Sequence, residues 1–217
     1  MCRVLLSERQ HFIFCRTFPQ QPIKRKMMKY IRMAVASGAL LLASNTQAQS
    51  WNLVFGLSQV MFLNGGNVEI NYLTEKFVFE YSHGFKLDLN ASPSEMALTD
   101  MERQQNLEIY VPYSTGGGVG YRFTKAFNVR VEFKQHRFDV THPSGEQVSY
   151  TTQDLGVGAY YFYKPFKQLN FIIVPSIRYW PTVNTSLNGD KHTFTNGDEH
   201  HAHDFGMFGN VSIGWSF

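Results

Sequence analysis

The feature that most constrains the fold is a strict alternation of apolar and polar residues at the C-terminal end of the chain. Over residues 210–217 every odd-numbered position is apolar: Val211, Ile213, Trp215 and Phe217. The positions between them hold Asn, Ser, Gly and Ser. A period of two residues is that of a β-strand with one apolar and one polar face. The pattern predicts a two-faced strand whose apolar side meets either lipid or a soluble core.

Seven further segments with the same period precede this strand. The predicted strands are 51–63, 67–74, 77–89, 107–123, 127–140, 149–163, 169–183 and 204–217. Short connections at 75–76, 124–126 and 164–168 alternate with longer polar ones at 90–106, 141–148 and 184–203, whereas the first two strands are joined by a tight Asn64-Gly65-Gly66 turn. Residues 92–105 are interpreted as a short helix or a mobile loop. Consecutive hairpins predict an all-β, eight-stranded antiparallel up-and-down barrel.

The short turns predict how neighbouring strands align. They give the pairs Tyr72 with Phe79, Tyr121 with Val129, Val119 with Val131, and Asp154 with Arg178. In all three hairpins apolar residues then meet on one face and polar residues on the other. Pro112 and Pro175 lack the amide proton that a strand ladder needs, so we expect a bulge or kink at each.

The polar face carries the evidence for which side of the barrel is inside. The turn at 124–126 places three glycines opposite charged residues: Gly116 and Lys134, Gly118 and Glu132, Gly120 and Arg130. The interior of a narrow eight-stranded barrel is filled by side chains, often small against large, and buried charges need partners. We therefore expect interior ion pairs that involve Asp154, Arg178, Arg130 and Glu132. Some apolar residues depart from this pattern and face inward: Leu73, Val78, Ile172, Val174 and Trp180.

The apolar rows are then predicted to face the bilayer, so the whole barrel is a transmembrane one. Aromatic residues beside the short turns would form a girdle at one membrane interface: Phe77, Tyr121, Phe123, Phe127, Tyr161, Tyr163, Trp215 and Phe217. A soluble barrel of lipocalin type, with its apolar rows inward, is the alternative.

The N-terminal segment is predicted to be an export signal. Five basic residues between 24 and 32 are followed by an apolar run of 11 residues, 33–43, and by small residues that permit cleavage between Ala48 and Gln49. We therefore divide the chain into 1–48, an N-terminal extension plus cleaved signal peptide, and 49–217, the barrel. Cleavage would also remove Cys2 and Cys15, the two cysteines of the chain.

Removal of this segment also changes the charge of the protein. Residues 1–48 hold eight of the 20 Lys and Arg and one of the 17 Asp and Glu, so the formal charge changes from +3 to −4. The main argument for a nucleic-acid partner was the positive charge of the whole chain, and it does not apply to a mature chain of charge −4.

Residues 116–133, GGGVGYRFTKAFNVRVEF, resemble the glycine-rich strand, turn and basic strand of small bacterial outer-membrane barrels of the OmpA/OmpX type. The resemblance extends in pattern over 50–217, without an appended periplasmic domain. It implies a monomer in the outer membrane of a Gram-negative envelope, surrounded by lipid, with its short turns in the periplasm. It also implies that Val211, Ile213, Trp215 and Phe217 form the signal read by the barrel-assembly machinery. Proteins of this type include structural anchors, adhesins, narrow porin-like channels and lipid A-modifying enzymes, so the fold does not give the function.

The densest cluster of reactive side chains lies in the last long loop. His200, His201 and His203 stand among acidic residues and are candidate ligands for Zn²⁺ or Cu²⁺. No spacing matches a metal motif, and His-rich tracts on loops are commonly solvated. We therefore expect neither a metal site nor another cofactor.

Catalysis has little support in the sequence. His83 lies on an outward apolar row, while Ser82 and Ser114 have the opposite parity, so no Ser–His pair for a lipid hydrolase is evident. The leading hypothesis is a non-catalytic barrel whose extracellular loops carry an envelope-structural or surface-interaction role. A lipid A-modifying enzyme and a narrow ion or solute channel are the alternatives.

Overall fold

A computed structural model describes residues 50–91, 97–166 and 168–217 and contains mostly β-strands. The strands are β1 Ser50–Gly56, β2 Gly66–Leu73, β3 Phe77–Asp88, β4 Glu108–Arg122, β5 Phe127–Thr141, β6 Gln147–Tyr161, β7 Phe171–Trp180, β8 Thr182–Thr185, β9 Lys191–Thr193, β10 Glu199–His201 and β11 Gly206–Ser216. Eight of them, β1–β7 and β11, form an antiparallel barrel that closes because β6 pairs with β5. The predicted fold, an eight-stranded up-and-down barrel, is confirmed.

The other elements are short and lie in the connections. Helix α1 spans Leu57–Phe62 and helix α2 spans Asp100–Gln104, with 3₁₀ turns at Leu89–Ala91 and Asn188–Asp190. Strand β8 continues β7 beyond Pro181 and pairs with β6, while β9 and β10 form a separate hairpin. Among the residues that the structure describes, no helix is long and apolar enough to cross a membrane.

The strand registers test the sequence predictions one hairpin at a time. Tyr72 pairs with Phe79, Tyr121 with Val129 and Val119 with Val131, as predicted. The predicted pairing of Asp154 with Arg178 is wrong, because Arg178 pairs with Gly158 and Asp154 with Thr182. The shift is four residues, an even number, so each side chain keeps its predicted face.

Two predictions about strand continuity have different outcomes. At Pro112 the ladder between β4 and β5 shifts register between Tyr110 and Ser114, as expected for a residue without an amide proton. At Pro175 the ladder with β11 continues without a shift. The first predicted strand, 51–63, is wrong beyond Gly56, because Leu57, Val60 and Met61 have the i, i+3, i+4 spacing of a helix and the chain turns into α1 there.

The interior of the barrel is layered from one end to the other. Next to the short turns lies a buried apolar plug: Val54, Leu73, Val78, Tyr160, Phe162, Ile172 and Val174. A layer of buried charged side chains follows, and beyond it an apolar cap fills the end with the long loops: Leu87, Leu89, Leu98, Leu107, Ile109, Val111, Phe138, Val140, Tyr150 and Phe194. The inward apolar residues that departed from the polar pattern therefore build the plug, with the exception of Trp180.

The outer surface has the opposite character. Apolar side chains along the strands face outward and are about half exposed, for example Val119, Val131, Leu155, Val157 and Ile177. The predicted aromatic girdle is present beside the short turns, where the rings of Tyr121 and Phe123 lie 5.2 Å apart between centroids. An apolar exterior around a charged interior is the arrangement of a membrane-embedded barrel and not of a lipocalin-like one.

Candidate functional site

The centre of the barrel is held by a network around Arg130. Its Nη1 lies 2.7 Å from Glu69, 2.8 Å from Glu80 and 2.9 Å from Asn71, and its Nε donates to Asn128 at 2.8 Å. The guanidinium carbon also lies 3.7 Å from the centroid of the Tyr160 ring. A buried guanidinium with this many partners is fixed in place, because leaving any of the charges unpaired is costly.

Strand β4 makes room for these long side chains through its glycines. A Cβ on Gly120 would lie 2.6 Å from Cγ of Arg130, and a Cβ on Gly118 would lie 2.9 Å from Cγ of Glu132. Both distances are too short for real atoms. The small-against-large arrangement predicted from the sequence is therefore a packing requirement of this layer.

Two further residues of β5 extend the charged layer. Lys134 donates from Nζ to Glu80 and to Ser82, each at 2.5 Å. Glu132 accepts hydrogen bonds from the Tyr160 hydroxyl and, at 2.6 Å, from Nε1 of Trp180. All four residues that we expected in interior ion pairs are buried here. Their partners differ, however: Arg130 and Arg178 both pair with Glu69, the latter at 3.4 Å.

Asp154 faces a histidine where an arginine was expected. Nε2 of His136 lies 3.1 Å from Oδ2 of Asp154, and the Thr182 hydroxyl donates to the other carboxylate oxygen at 3.1 Å. The contact with His136 lacks hydrogen-bond geometry, so both ring nitrogens of this buried imidazole are without a hydrogen-bond partner. Such a group in a polar layer is a candidate contact for a ligand.

A cavity of about 520 Å³ lies between the charged layer and the apolar cap. His136, Arg178 and Ser114 are among the polar residues that line it, while Leu89 and Phe205 are among the apolar ones. This volume falls within the range of about 300–1,000 Å³ that is usual for small-molecule sites. The cavity combines apolar walls with a few convergent polar groups, which is the usual composition of such a site.

The third feature of the site is a histidine cluster beside the apolar cap, formed by Glu102, Tyr150, His200 and His203. Helix α2 positions Glu102 through a capping box, in which Thr99 donates its N–H to Oε2 at 2.7 Å and accepts from the N–H of Glu102 at 3.3 Å. The other carboxylate oxygen accepts from Nδ1 of His203 at 2.9 Å.

The same cluster continues to the second histidine through Tyr150. The Tyr150 hydroxyl accepts from the backbone N–H of His203 at 3.0 Å and lies 2.8 Å from Nε2 of His200. Nδ1 of His200 is 3.8 Å from Glu102. The loop that carries both histidines is thus tied to α2 and β6 by buried polar contacts.

Burial and the neighbouring charges determine the ionisation of this cluster. Burial lowers the pKa of His200 to about 4, against the attraction of Glu102, so the ring is neutral at pH 7. Burial alone would raise the pKa of Glu102, but the hydrogen bond and the electrostatic interaction with His203, together with the hydrogen bond from the Thr99 backbone, outweigh it and lower that pKa. The cluster therefore pairs an ionised carboxylate with a neutral, buried imidazole.

The candidate metal ligands of the sequence are separated in the structure. His200 and His203 are 1% and 3% exposed and engaged in the histidine cluster, whereas the side chain of His201 is 56% exposed and lies 4.0 Å from Glu199. Within the part of the chain that the structure describes, no group of three or more His, Cys, Asp or Glu side chains is arranged to hold a metal ion. Sequence reasoning missed Glu102 and Tyr150, which are remote along the chain and carry no local motif.

The remaining predicted positions fall at the two ends of the chain. Ala48 and Gln49 lie outside the described residues, so the cleavage site stays a prediction. Strand β11 closes the barrel against β1. Two of its apolar residues, Val211 and Trp215, are exposed on the outer face, and so is Phe217, which follows the strand and is 71% exposed. That the barrel-assembly machinery recognises these residues also stays a prediction.

Comparisons with known proteins give structural likeness only. No protein-family model and no curated protein sequence matches the chain. The chain is similar to the attachment invasion locus protein Ail of Yersinia pestis, with 12% identity over 78% of this chain and 96% of Ail and a TM-score of 0.39. A major outer membrane protein of Thermus thermophilus has 12% identity over 79% of this chain and all of the other, with a TM-score of 0.41.

Neisserial surface protein A has 13% identity over 77% of this chain and 93% of its own, with a TM-score of 0.36. Likeness at this level transfers no binding or catalytic role. The function has to be inferred from the residues of this chain.

Proposed function

We propose that this protein is a non-catalytic barrel of the bacterial outer membrane whose extracellular loops carry a surface-interaction role. The observation that supports this most is the apolar cap. The long loops are packed on a buried core of their own and tied together by the histidine cluster. Loops that are ordered in this way present a fixed surface, which reduces the entropy lost when a partner binds.

The part of the structure that projects on this side is also polar and charged. Strands β4, β5 and β6 are 15 residues long, more than the about 9–11 residues that cross a membrane. Their outer ends and the β9–β10 hairpin carry exposed ion pairs, Arg137 with Asp139 and Lys191 with Glu199. These residues form the surface that a partner outside the cell would meet.

The interior argues against a channel. The apolar plug and the charged layer lie one above the other inside the barrel, and their side chains are buried. An eight-stranded barrel filled in this way has no room for a continuous pore through these two layers. We expect no discrete conductance steps when the purified protein is added to planar bilayers, and regular steps would contradict this part of the proposal.

One observation favours acyl-ester hydrolysis as a second candidate. Ser114 and His136 are cross-strand partners that both line the cavity, and His136 lies 3.1 Å from Asp154 behind it, so the three residue types of a catalytic triad are close together. No hydrogen bond joins a serine to either nitrogen of His136, and that bond is what activates the nucleophile. Mass spectrometry of lipid A and phospholipids from cells with the parent or Ser114→Ala protein tests this; identical lipids exclude it.

The sidedness of the barrel is tested with single cysteines. We expect Pro143→Cys, in the β5–β6 connection, to react with a membrane-impermeant maleimide on intact cells. Glu75→Cys, at the other end, should react only after the outer membrane is opened. Both residues are exposed, so access decides the outcome. The reverse labelling pattern would refute the orientation.

The interaction role is tested by replacing the β9–β10 hairpin with a short turn. We expect cells that display the parent protein to adhere to host-cell monolayers or to one another, and cells with the shortened protein to lose that adherence. The heat-dependent electrophoretic mobility of the barrel should not change, which shows that the strands still fold. Equal adherence of cells with and without the gene would refute the proposal.

A further inference from the structure

A row of polar side chains crosses the otherwise apolar outer face of the barrel. Its members pair across neighbouring strands: His83 of β3 with Thr115 of β4, Thr115 with Gln135 of β5, Gln135 with Gln153 of β6, and Gln153 with Asn184 of β8. The residues before and after His83, Gln135 and Gln153 in the chain are buried in the interior, so these side chains face outward. We call the five residues the polar row.

The polar row lies at membrane depth. Counted from the strand ends beside the short turns, His83 is the seventh residue of β3 and Thr115 is the eighth of β4. Gln135 and Gln153 are the ninth residues of β5 and β6. About 9–11 residues cross a membrane, so these four side chains lie within the membrane, in the half nearer the long loops.

The charged residues above the row mark the outer boundary of the membrane. Arg137 follows Gln135 on the outer face of β5 and forms the exposed ion pair with Asp139. Two residues along a tilted strand correspond to about 5 Å of depth. Gln135 therefore lies just below the level of the headgroups, where the acyl chains of the lipids begin.

The side chains of the row satisfy one another only in part. Nδ2 of Asn184 donates to Oε1 of Gln153 at 3.3 Å, and Nε2 of Gln135 donates to the Tyr113 hydroxyl at 3.4 Å. Among the described residues, no group donates to Oε1 of Gln135 or accepts from Nε2 of Gln153, and the His83 imidazole has no partner. An amide that faces hydrocarbon without a hydrogen bond is costly. The missing partners have to come from the lipid side.

The chemistry of the row defines what those partners are. No Lys or Arg belongs to the row, so it does not match a phosphate, which is recognised by such cations. The ester carbonyls of an ordinary phospholipid accept hydrogen bonds but donate none, and they leave Oε1 of Gln135 unsatisfied. A hydroxyl group both donates and accepts. Gln135 and Gln153 are directly opposite each other, with about 5 Å expected between their Cβ atoms, so one hydroxyl can bridge the two amides.

The course of the row favours lipid molecules over a second copy of the barrel. From β3 to β8, which continues β7, the row passes over four of the eight steps between neighbouring strands. This corresponds to about 19 Å along a curved wall. A second rigid barrel would touch such a convex wall along one or two strands only, whereas lipid molecules follow the curve.

We propose that the polar row binds an outer-leaflet lipid whose acyl chains carry hydroxyl groups, as those of lipid A do. A chain hydroxyl donates to Oε1 of Gln135 and accepts from Nε2 of Gln153. This binding does not rest on the surface-interaction role. It rests on a barrel in the outer membrane with its long loops outward, which the cysteine labelling tests separately.

The test compares two lipids that differ only in the chain hydroxyls. One is a diacylglucosamine phosphate with two β-hydroxytetradecanoyl chains, and the other has two tetradecanoyl chains on the same headgroup. Native mass spectrometry of the purified protein in detergent micelles gives the affinity for each. We expect the hydroxylated lipid to bind about tenfold more tightly, or by about 1.4 kcal/mol. Equal affinities would overturn the proposal, and so would a dimer that excludes both lipids, because the row would then be a contact between subunits.

Matched variants assign the preference to the row. The double variant Gln135→Leu, Gln153→Leu places apolar side chains on the lipid face, which a barrel tolerates, and should bind both lipids equally. Gln147→Leu is the control, since it makes the same substitution on the outer face of β6 at the fifteenth residue, beyond the membrane. It should keep the preference. With heat-modifiable mobility retained in both proteins, a preference that survives in the double variant or disappears in Gln147→Leu would refute the assignment.

Discussion

The buried imidazole of His200 makes the extracellular cap of this barrel sensitive to acid. In the folded cap its pKa is about 4 because of burial, whereas an exposed histidine has a pKa of about 6.5. A folded-state pKa below the unfolded value means that the open loop binds the proton more tightly. The stabilisation is therefore fully present above about pH 6.5 and is lost as the pH falls toward 4.

The size of the effect follows from these two values. Between pH 7 and pH 4.5 the preference of the open loop for the proton removes about 2 kcal/mol from the stability of the segment that buries His200. The equilibrium constant for local opening then rises about thirty-fold. Glu102, whose pKa is lowered, acts in the same direction only at lower pH, when its carboxylate is protonated.

Hydrogen–deuterium exchange of the protein in nanodiscs measures this opening directly. Peptides that cover 194–204 should exchange faster at pH 4.5 than at pH 7 after correction for the intrinsic rate, while peptides from the middle of β5 and β6 should not change. In His200→Gln the side chain cannot titrate, so the acid-induced increase should disappear. His201→Gln is the matched control, since the side chain of His201 is 56% exposed and lies outside the buried cluster.

Two results would refute this reasoning. Equal acid-induced opening in the parent protein and His200→Gln would assign the effect to another group. Loss of the effect in His201→Gln would show that the exposed ring, and not the buried one, carries the proton that opens the loop.

Three further predictions concern the wall and the interior. Val131→Arg places a charge on the lipid face and should lower the free energy of folding into vesicles by about 2–4 kcal/mol, measured by urea titration, while Gln147→Arg at the exposed rim should have little effect. Gly120→Val forces its side chain against Arg130, and this overpacking should cost about 1–3 kcal/mol and lower the urea midpoint. Gly209→Ala should not, because its Cβ would meet no atom closer than the Ser176 carbonyl oxygen at 3.9 Å; equal midpoints would contradict the packing argument. Arg130→Met leaves buried carboxylates unpaired and should cost about 3–5 kcal/mol at neutral pH, with partial recovery in acid as those carboxylates are protonated, and a pH-independent loss would refute the charge argument.

The barrel could be predicted from the sequence because its determinants are local. Period-two alternation predicts the face of residues within the regular strands, and the lengths of the turns at 75–76 and 124–126 fix the register of two hairpins. The third hairpin was misaligned by four residues because its connection is longer than five residues and carries no turn motif. Because the error is an even number of residues, it leaves each side chain on its predicted face. Asp154 and Arg178 were therefore correctly placed inside, although they do not pair.

The candidate sites could not be predicted because their partners are distant in sequence. His200 and His203 are conspicuous in a polar loop, but Glu102 and Tyr150, which bury them, lie about a hundred and about fifty residues away along the chain. The break of β1 at Gly56 could not be predicted either. There the alternating pattern and the helical spacing of Leu57, Val60 and Met61 compete, and only the tertiary structure decides between them.

The seam where the cylinder closes is much shorter than the longest ladder of the wall. Strand β11 pairs with β1 only from Gly56 to the end of the chain. Strands β5 and β6, in contrast, pair along their whole length, from Phe127 with Tyr161 to Thr141 with Gln147. A force applied across the wall would be resisted less at this seam than between β5 and β6. Mechanical unfolding should therefore separate the N-terminal hairpin from the C-terminal strand before it separates β5 from β6.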